Sequence, residues 1–282
     1  MSVKKGERGG AVVTGAGRGL GKLLAGLLVA RGHHVLVTDV DLETAKATAS
    51  TLGPNAYARA LDVRDAAQTI AARDDILARA GALDVWINNA GVLVTGPAWE
   101  QDASTRRLML EVNALGTMNG TIVAIEAMRG RGGHIVNIVS LAGITAVPGE
   151  SVYAASKHAA IGFSISTLAD LRLAGVKGID ISCVCPDGIW TPMLHDKLDD
   201  PAAALSFSGK LLEAEEVVAA VAKVLDRPRP VTTVPRWRGA QARLADAVPK
   251  LALAVAPLVV GKGRRGQRKA RRNGLATGPT SD

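Results

Sequence analysis

The chain has 282 residues, 48% hydrophobic but only 3% aromatic, so it is long enough for one large α/β domain or two small ones built around Ala, Val, Leu and Ile. Its net charge of +8 is concentrated at one end: residues 261–282 carry Lys262, Arg264, Arg265, Arg268, Lys269, Arg271 and Arg272 against Asp282 alone, leaving only +2 for the rest. That distribution excludes a uniformly basic, nucleic-acid-coating body, and "MSVKKGERGG" lacks the apolar run of a secretory leader.

Apolar runs alternate with amphipathic stretches along the chain. "GGAVVTG" (9–15) predicts a buried strand and a glycine turn, and "LGKLLAGLLVARG" (20–32) a helix stopped by Gly32. "HVLVTD" is a second strand, "LETAKATASTL" a helix, "AYARALDV" a third strand, residues 65–80 a helix and "LDVWINNAG" a fourth strand. Residues 102–129 read as a long helix, "GHIVNIVS" as a fifth strand and residues 151–174 as another long helix. "GIDISCVCP", a helix at "AEEVVAAVAKVLD" and "PVTTVP" complete the pattern. The strands are unbroken Val/Ile/Leu runs, as expected when both faces are covered. The alternation predicts an α/β, doubly wound, parallel seven-stranded sheet of Rossmann type, as one domain over residues 1–245 with a tail over 246–282.

Cys183 and Cys185 lie two apart on the sixth strand, too divergent for an easy disulfide and without further ligands for a metal. They read as core thiols, which makes a reducing cytoplasm the default location. No stretch reaches the ~18 apolar residues of a spanning helix.

"TGAGRGLG" places Gly15, Gly19 and Gly21 between a strand and a helix, where glycines allow the backbone and the helix N-terminus to approach a pyrophosphate. Asp39, eighteen residues after Gly21 at the end of the second strand, is placed to accept both adenosine ribose hydroxyls and to repel a 2′-phosphate. NAD is therefore favoured over NADP, with Arg18 as the counter-argument. Tyr153 and Lys157 are four residues apart and share a helix face. Such a pair is either a solvated edge or an acid–base unit, in which a cation lowers a phenol pKa from about 10.

With these motifs in order, the chain resembles the short-chain dehydrogenase/reductase family over roughly residues 8–235. The loop matches TGxxxGxG through Thr14, Gly15, Gly19 and Gly21, with Arg18 and Leu20 between. "LDV" supplies Asp62 and Val63, "NNAG" supplies Asn89, Ala90 and Gly91, "EVNALG" supplies Asn113, "NIVSLAG" supplies Ser140, and "YAASK" supplies Tyr153 and Lys157. The resemblance implies that Asp62 and Val63 hold the adenine and that Asn89 contacts the cofactor. It further implies that Ser140 orients the substrate oxygen, Tyr153 moves the proton, Lys157 also binds the nicotinamide ribose, and Asn113 holds a proton-relaying water. After the sixth strand, Pro186, Ile189 and Thr191 align with residues that hold the carboxamide and phosphates, but Asp187 stands at the usual glycine position in "PDGIWT".

The implied activity is hydride transfer between NAD and a secondary alcohol or ketone. Residues 192–212 form the expected substrate lid, with Met193, Leu194, Leu198, Leu205 and Phe207, joined by Trp99 and Trp190, as an apolar wall suited to a steroid-, terpenoid- or acyl-like substrate. His195 reads as a surface histidine. The resemblance implies a homodimer or homotetramer built through the two long helices. An NADP-dependent ketoreductase and a non-catalytic, nucleotide-sensing scaffold are the alternatives. In the tail, "PKLALAVAPLVVG" precedes the basic cluster, a pairing that suits a solvated disordered segment, peripheral contact with the inner face of a membrane, or a contact between subunits. Pro249 and Pro257 argue against one continuous helix, and no aromatic is interleaved with the arginines, which disfavours nucleic acid.

Overall fold

The computed structural model describes residues 8–277. Seven parallel strands form one sheet: β1 (Gly10–Val13), β2 (His34–Asp39), β3 (Ala56–Ala60), β4 (Leu83–Asn88), β5 (Gly133–Ile138), β6 (Ile179–Pro186) and β7 (Val231–Val234), in spatial order β3-β2-β1-β4-β5-β6-β7. The connecting helices are α1 (Gly19–Ala30), α2 (Leu42–Leu52), α3 (Ala66–Ala80), α4 (Ala103–Leu110) running through a wider π-type turn at Glu111–Leu115 into α5 (Gly116–Met128), α6 (Ser151–Leu173) and α8 (Ala214–Asp226). The chain winds outward from β1 to β3 and restarts with β4 on the other side of β1. At that switch point the connections diverge and open a crevice beyond the carboxyl ends of the strands.

The two-residue repeat of each strand divides the core. Val13, Val37, Ile87, Val136 and Val184 pack with Leu24, Leu28 and Val217 on one face. Val12, Leu36, Trp86, Ile135 and Ile181 pack with Ile76, Val123 and Leu168 on the other. One polar chain crosses the second layer: Trp86 Nε1 donates to Asn88 Oδ1 (2.8 Å), Asn88 Nδ2 donates to Asn137 Oδ1 (2.8 Å), and Asn137 Nδ2 donates to Ser164 Oγ (2.7 Å). Helix starts follow the local chemistry. Asp41 accepts from the Glu43 amide and Asp65 from the Ala67 and Gln68 amides, satisfying first-turn donors.

β3 and β4 are shorter than their sequence runs, ending at Ala60 and Asn88. Residues 61–63 and 89–91 leave the ladder and turn into the crevice. Cys183 and Cys185 are buried free thiols in β6, and burial pushes them up to about 11 and about 12. The long helix Ala103–Met128 is apolar enough to match a membrane span, against the expectation that no segment would be. More than half of its apolar window is packed inside the fold.

The C-terminal region differs most from expectation. The lid carries two short helical segments, α7 (Pro192–His195) and a 3₁₀ turn Pro201–Phe207. It is followed beyond β7 by α9 (Arg236–Ala247) and a 29-residue helix α10 (Pro249–Thr277). Pro249 occupies the first helical position, where its missing N–H has no intrahelical partner to lose. Pro257 lies inside the helix without ending it.

Candidate active site

A cavity of about 970 Å³ opens at the switch point. Of the expected site residues, Gly15, Arg18, Gly19, Leu20, Gly21, Asp39, Asp62, Val63, Asn89, Ala90 and Gly91 line it from the β1–β4 side. Ser140, Tyr153, Lys157, Pro186, Ile189 and Thr191 line it from the β5–β6 side. Asn113 does not line it.

The glycine loop is a cradle that side chains would fill. Gly15 has φ +61°, and a Cβ there would lie 2.7 Å from Ala90 Cα; a Cβ on Gly21 would lie 2.1 Å from the Gly15 carbonyl oxygen. Gly19, at φ +56°, faces open space, the nearest atom to a Cβ being Pro192 Cδ at 3.8 Å. Arg18 precedes α1 without a side-chain cap, and no acidic residue sits in the first turn, so the helix amides are left for an anion. Asp39 Oδ2 accepts from the Gly17 amide at 2.9 Å, tying the loop to the end of β2 with its carboxylate at the cavity. This donor-rich, carboxylate-flanked cradle fits a dinucleotide.

Two expected contacts change in detail. Asn89 lines the cavity but spends its Nδ2 on the Thr14 and Gly15 carbonyls (3.0 and 2.8 Å), so it holds the loop in shape. Asp62 is clamped by Arg64, whose guanidinium holds that carboxyl below its usual range.

Asn113 lies behind the cavity wall rather than in it. It is fully buried in the π-type turn. Its Oδ1 accepts from the Val92 amide (2.8 Å), and its Nδ2 donates to the Val92 carbonyl (2.9 Å) and to Ser156 Oγ (3.0 Å). The side-chain amide is engaged in holding the 91–92 bend behind Lys157.

Ser140 lies two residues beyond β5, and its Oγ accepts from the Ala142 amide (3.1 Å). Tyr153 and Lys157 project from the first turns of α6, both buried, with Nζ 5.7 Å from the Tyr153 ring centre and 3.2 Å from the Ile138 carbonyl it bonds. Burial raises the Tyr153 phenol above its ordinary value; the charge of Glu150 adds to this and the Ser140 hydroxyl opposes it. Burial also pulls the Lys157 ammonium down to about 8. The phenol is thus raised, chiefly by desolvation, where a lowering by the lysine was expected.

Sequence reasoning missed Glu150. It is 3% exposed at the start of α6, lines the cavity, and its Oε1 accepts from Ser206 Oγ of the lid at 2.5 Å. Burial pushes its carboxyl up to about 7; Asp187 and Asp200 add to the rise, while Ser206 and Lys197 oppose it. The signal was only a lone acid in a loop before a helix. Asp187, at the glycine position of the family pattern, pairs with Arg238 of α9 at 2.6 Å.

The apolar wall also differs. Met193, Leu194 and Leu205 line the cavity, whereas Leu198 and Phe207 pack beneath the lid with Trp190. Trp99 is 85% exposed and outside it. His195 is an exposed residue stacked at a tilt on Trp190. The expected tail supplies a wall of its own, from Val248, Leu251, Val255 and Val259.

Residues 10–202 match the family model for short chain dehydrogenases. Momilactone A synthase of Oryza sativa subsp. japonica is 34% identical over 74% of this chain and 80% of its own length. The 3-oxoacyl-[acyl-carrier-protein] reductase FabG of Salmonella typhimurium is 33% identical over 75% of this chain and 87% of its own. Sex determination protein tasselseed-2 of Zea mays is 38% identical over 65% of this chain, which spans only 56% of that relative's length. A short chain dehydrogenase/reductase of Burkholderia phymatum, solved in complex with NAD, superposes with a TM-score of 0.78 at 28% identity, covering 87% of this chain and 95% of that one. With its parallel sheet, glycine cradle and Ser140–Tyr153–Lys157 cluster, the chain belongs to the short-chain dehydrogenase/reductase family of oxidoreductases.

Proposed function

We propose that this oxidoreductase transfers hydride between NAD(H) and a secondary alcohol or ketone on a lipophilic skeleton. The observation that carries the reading is that Ser140, Tyr153 and Lys157 face the same cavity as the glycine cradle and Asp39. A bound nicotinamide supplies the hydride acceptor or donor. The chain's own residues supply the rest. Ser140 Oγ orients the substrate oxygen, and Tyr153 exchanges a proton with it. In oxidation the alcohol proton passes to Tyr153 as hydride leaves the carbon; in reduction the phenol returns it. Tyr153, its phenol raised by burial, is protonated at neutral pH and so is in the state that can donate to a ketone oxygen. Lys157 stays near both the phenol and the end of β5, and Asn113 positions the 91–92 bend beside it.

Asp39 supports NAD, because a carboxylate there repels a 2′-phosphate. Arg18, exposed at the mouth beside it, supports the second reading, an NADP-dependent ketoreductase. The relatives' names range from sorbitol to 3-oxoacyl-[acyl-carrier-protein] substrates, so kinship leaves the substrate to be read from the cavity, whose walls are mostly apolar. Assembly through the long helices is supported by Leu115 and Ile122, exposed at 43% and 47% and spaced by seven on one face.

The test is consumption of NADH and of NADPH with a panel of apolar ketones. NADH turnover with a higher kcat/KM than NADPH is expected. The reverse ratio would establish the NADP reading, and cofactor binding without any turnover would favour a nucleotide-sensing scaffold. Tyr153→Phe should lower kcat by ~10²–10⁴-fold with cofactor affinity nearly unchanged; retained turnover would remove Tyr153 from the mechanism.

A further inference from the structure

We infer that α9 and α10 form a fixed roof over the substrate end of the cavity, and that α10 selects substrates bearing an extended apolar chain or ring system. The inference rests on the hydride-transfer reading above and names the part of the chain that sets its substrate preference.

The roof is fastened at two ends. On α9, Arg238 Nε donates to Asp187 Oδ2 at 2.6 Å and its Nη2 donates to Ser208 Oγ at 3.2 Å, joining the end of β6, the lid and the C-terminal region. The departure at position 187 thus has a partner that lies outside the family-matched segment. On α10, Gln267 is 7% exposed and its Nε2 donates to the lid carbonyls of Lys197 (2.8 Å) and Asp200 (2.7 Å). Gly263 and Gly266 face the carbonyls of Ala204 and Phe207 so closely that a Cβ would lie 2.0 and 2.2 Å from them. Only helix backbone without side chains fits there, which marks a built contact between α10 and the lid.

The first half of α10 is not packed on the protein in this way. Leu251 and Val255 are 61% and 40% exposed, and Val248, just before the helix, is 41% exposed, yet all three line the cavity that holds Tyr153. Leu251 and Val255, four residues apart, share one helix stripe. Apolar side chains held this open by anchors at either end are left for an apolar occupant, and continuity with Tyr153 identifies it as the hydrocarbon part of the substrate. A membrane-surface role predicts the opposite dependence, on exposed apolar residues that the cavity does not reach, such as Leu258, which is 76% exposed and outside it.

The experiment uses the full chain and a series of methyl ketones from butanone to undecanone. Each methylene buried against the roof should raise kcat/KM about fourfold. Val255→Asp, which puts a charge in the wall, should flatten that slope, and Leu258→Asp should keep it. Nile red affinity, read by fluorescence without any turnover, should fall about tenfold in Val255→Asp and stay unchanged in Leu258→Asp. Equal slopes and equal dye affinities in the two variants would overturn the roof. If the parent reduces no ketone, the hydride-transfer reading falls, and the dye comparison alone decides whether α10 lines a lipophilic site.

Discussion

Glu150 lies one helical turn before Tyr153 and places a second titrating group in the catalytic cavity. Its carboxyl titrates near 7 and so gains charge in the range where an oxidoreductase of this type works. Ionised Glu150 raises the phenol and so opposes formation of the phenolate that alcohol oxidation needs. Glu150→Gln keeps an acceptor for Ser206 and removes the charge. The rise of kcat/KM with pH in alcohol oxidation, which follows phenolate formation, should therefore move to lower pH. A superimposable profile would mean that the two groups do not communicate. Tyr153, Lys157, Ser140, Asp39 and the glycines were legible from residue type and order, because each chemistry tolerates few substitutes. Glu150 was not, since a single acid before a helix is the commonest kind of surface residue, and only the lid folding over it buries the carboxyl.

At the scale of the element, the turn at Glu111–Leu115 shows how a sequence can name a residue and hide its work. The long helix was legible from its apolar period, and Asn113 stood out within it as a poor helix former. What the sequence does not reveal is that the amide closes on the main chain of Val92, twenty-one residues earlier, because that pairing exists only once β4 has entered the sheet. Asn113→Ala would leave the Val92 amide and carbonyl without these partners in a buried setting, so stability should fall by about 2 kcal/mol in urea unfolding. A loss under ~0.5 kcal/mol would show that the bend holds itself. α10 was obscured for a related reason. Two prolines and eight basic residues resemble a solvated tail in isolation. The helix gains its partners only from the lid, through Gln267 and the bare backbone at Gly263 and Gly266.

For the whole molecule, the parallel sheet and its strand number were readable because strands covered on both faces must be continuously apolar. The exceptions inside that sheet control its response to acid. His134 in β5 is 8% exposed, bonds Ser182 Oγ at 2.9 Å, and is lowered by burial to about 4 from an unfolded value near 6.5. The unfolded chain therefore binds the extra proton first, so this group's stabilisation is complete above pH 6.5 and is lost as pH falls toward 4. The loss amounts to roughly 2 kcal/mol by pH 5. Glu150 titrates in the opposite sense, since its folded value is the higher one, and between pH 7 and pH 5 it contributes a gain of similar size, roughly 2 kcal/mol. Urea unfolding should therefore show His134→Asn gaining roughly 2 kcal/mol relative to the parent between pH 7 and pH 5; equal changes in the two proteins would exclude His134 as the source. The Trp86–Asn88–Asn137–Ser164 chain has a different consequence at this scale. Asn88 pairs with Asn137 in the β4–β5 ladder. A slip of either strand by one residue would turn its amide toward the hydrocarbon layer of Ile87 and Val136 and leave the other without its partner. The two asparagines therefore act as an alignment key for the middle of the sheet: of the ways these two apolar strands can lie together, they leave one in which no amide is stranded, and that one aligns the crevice where Ser140 and the glycine loop meet.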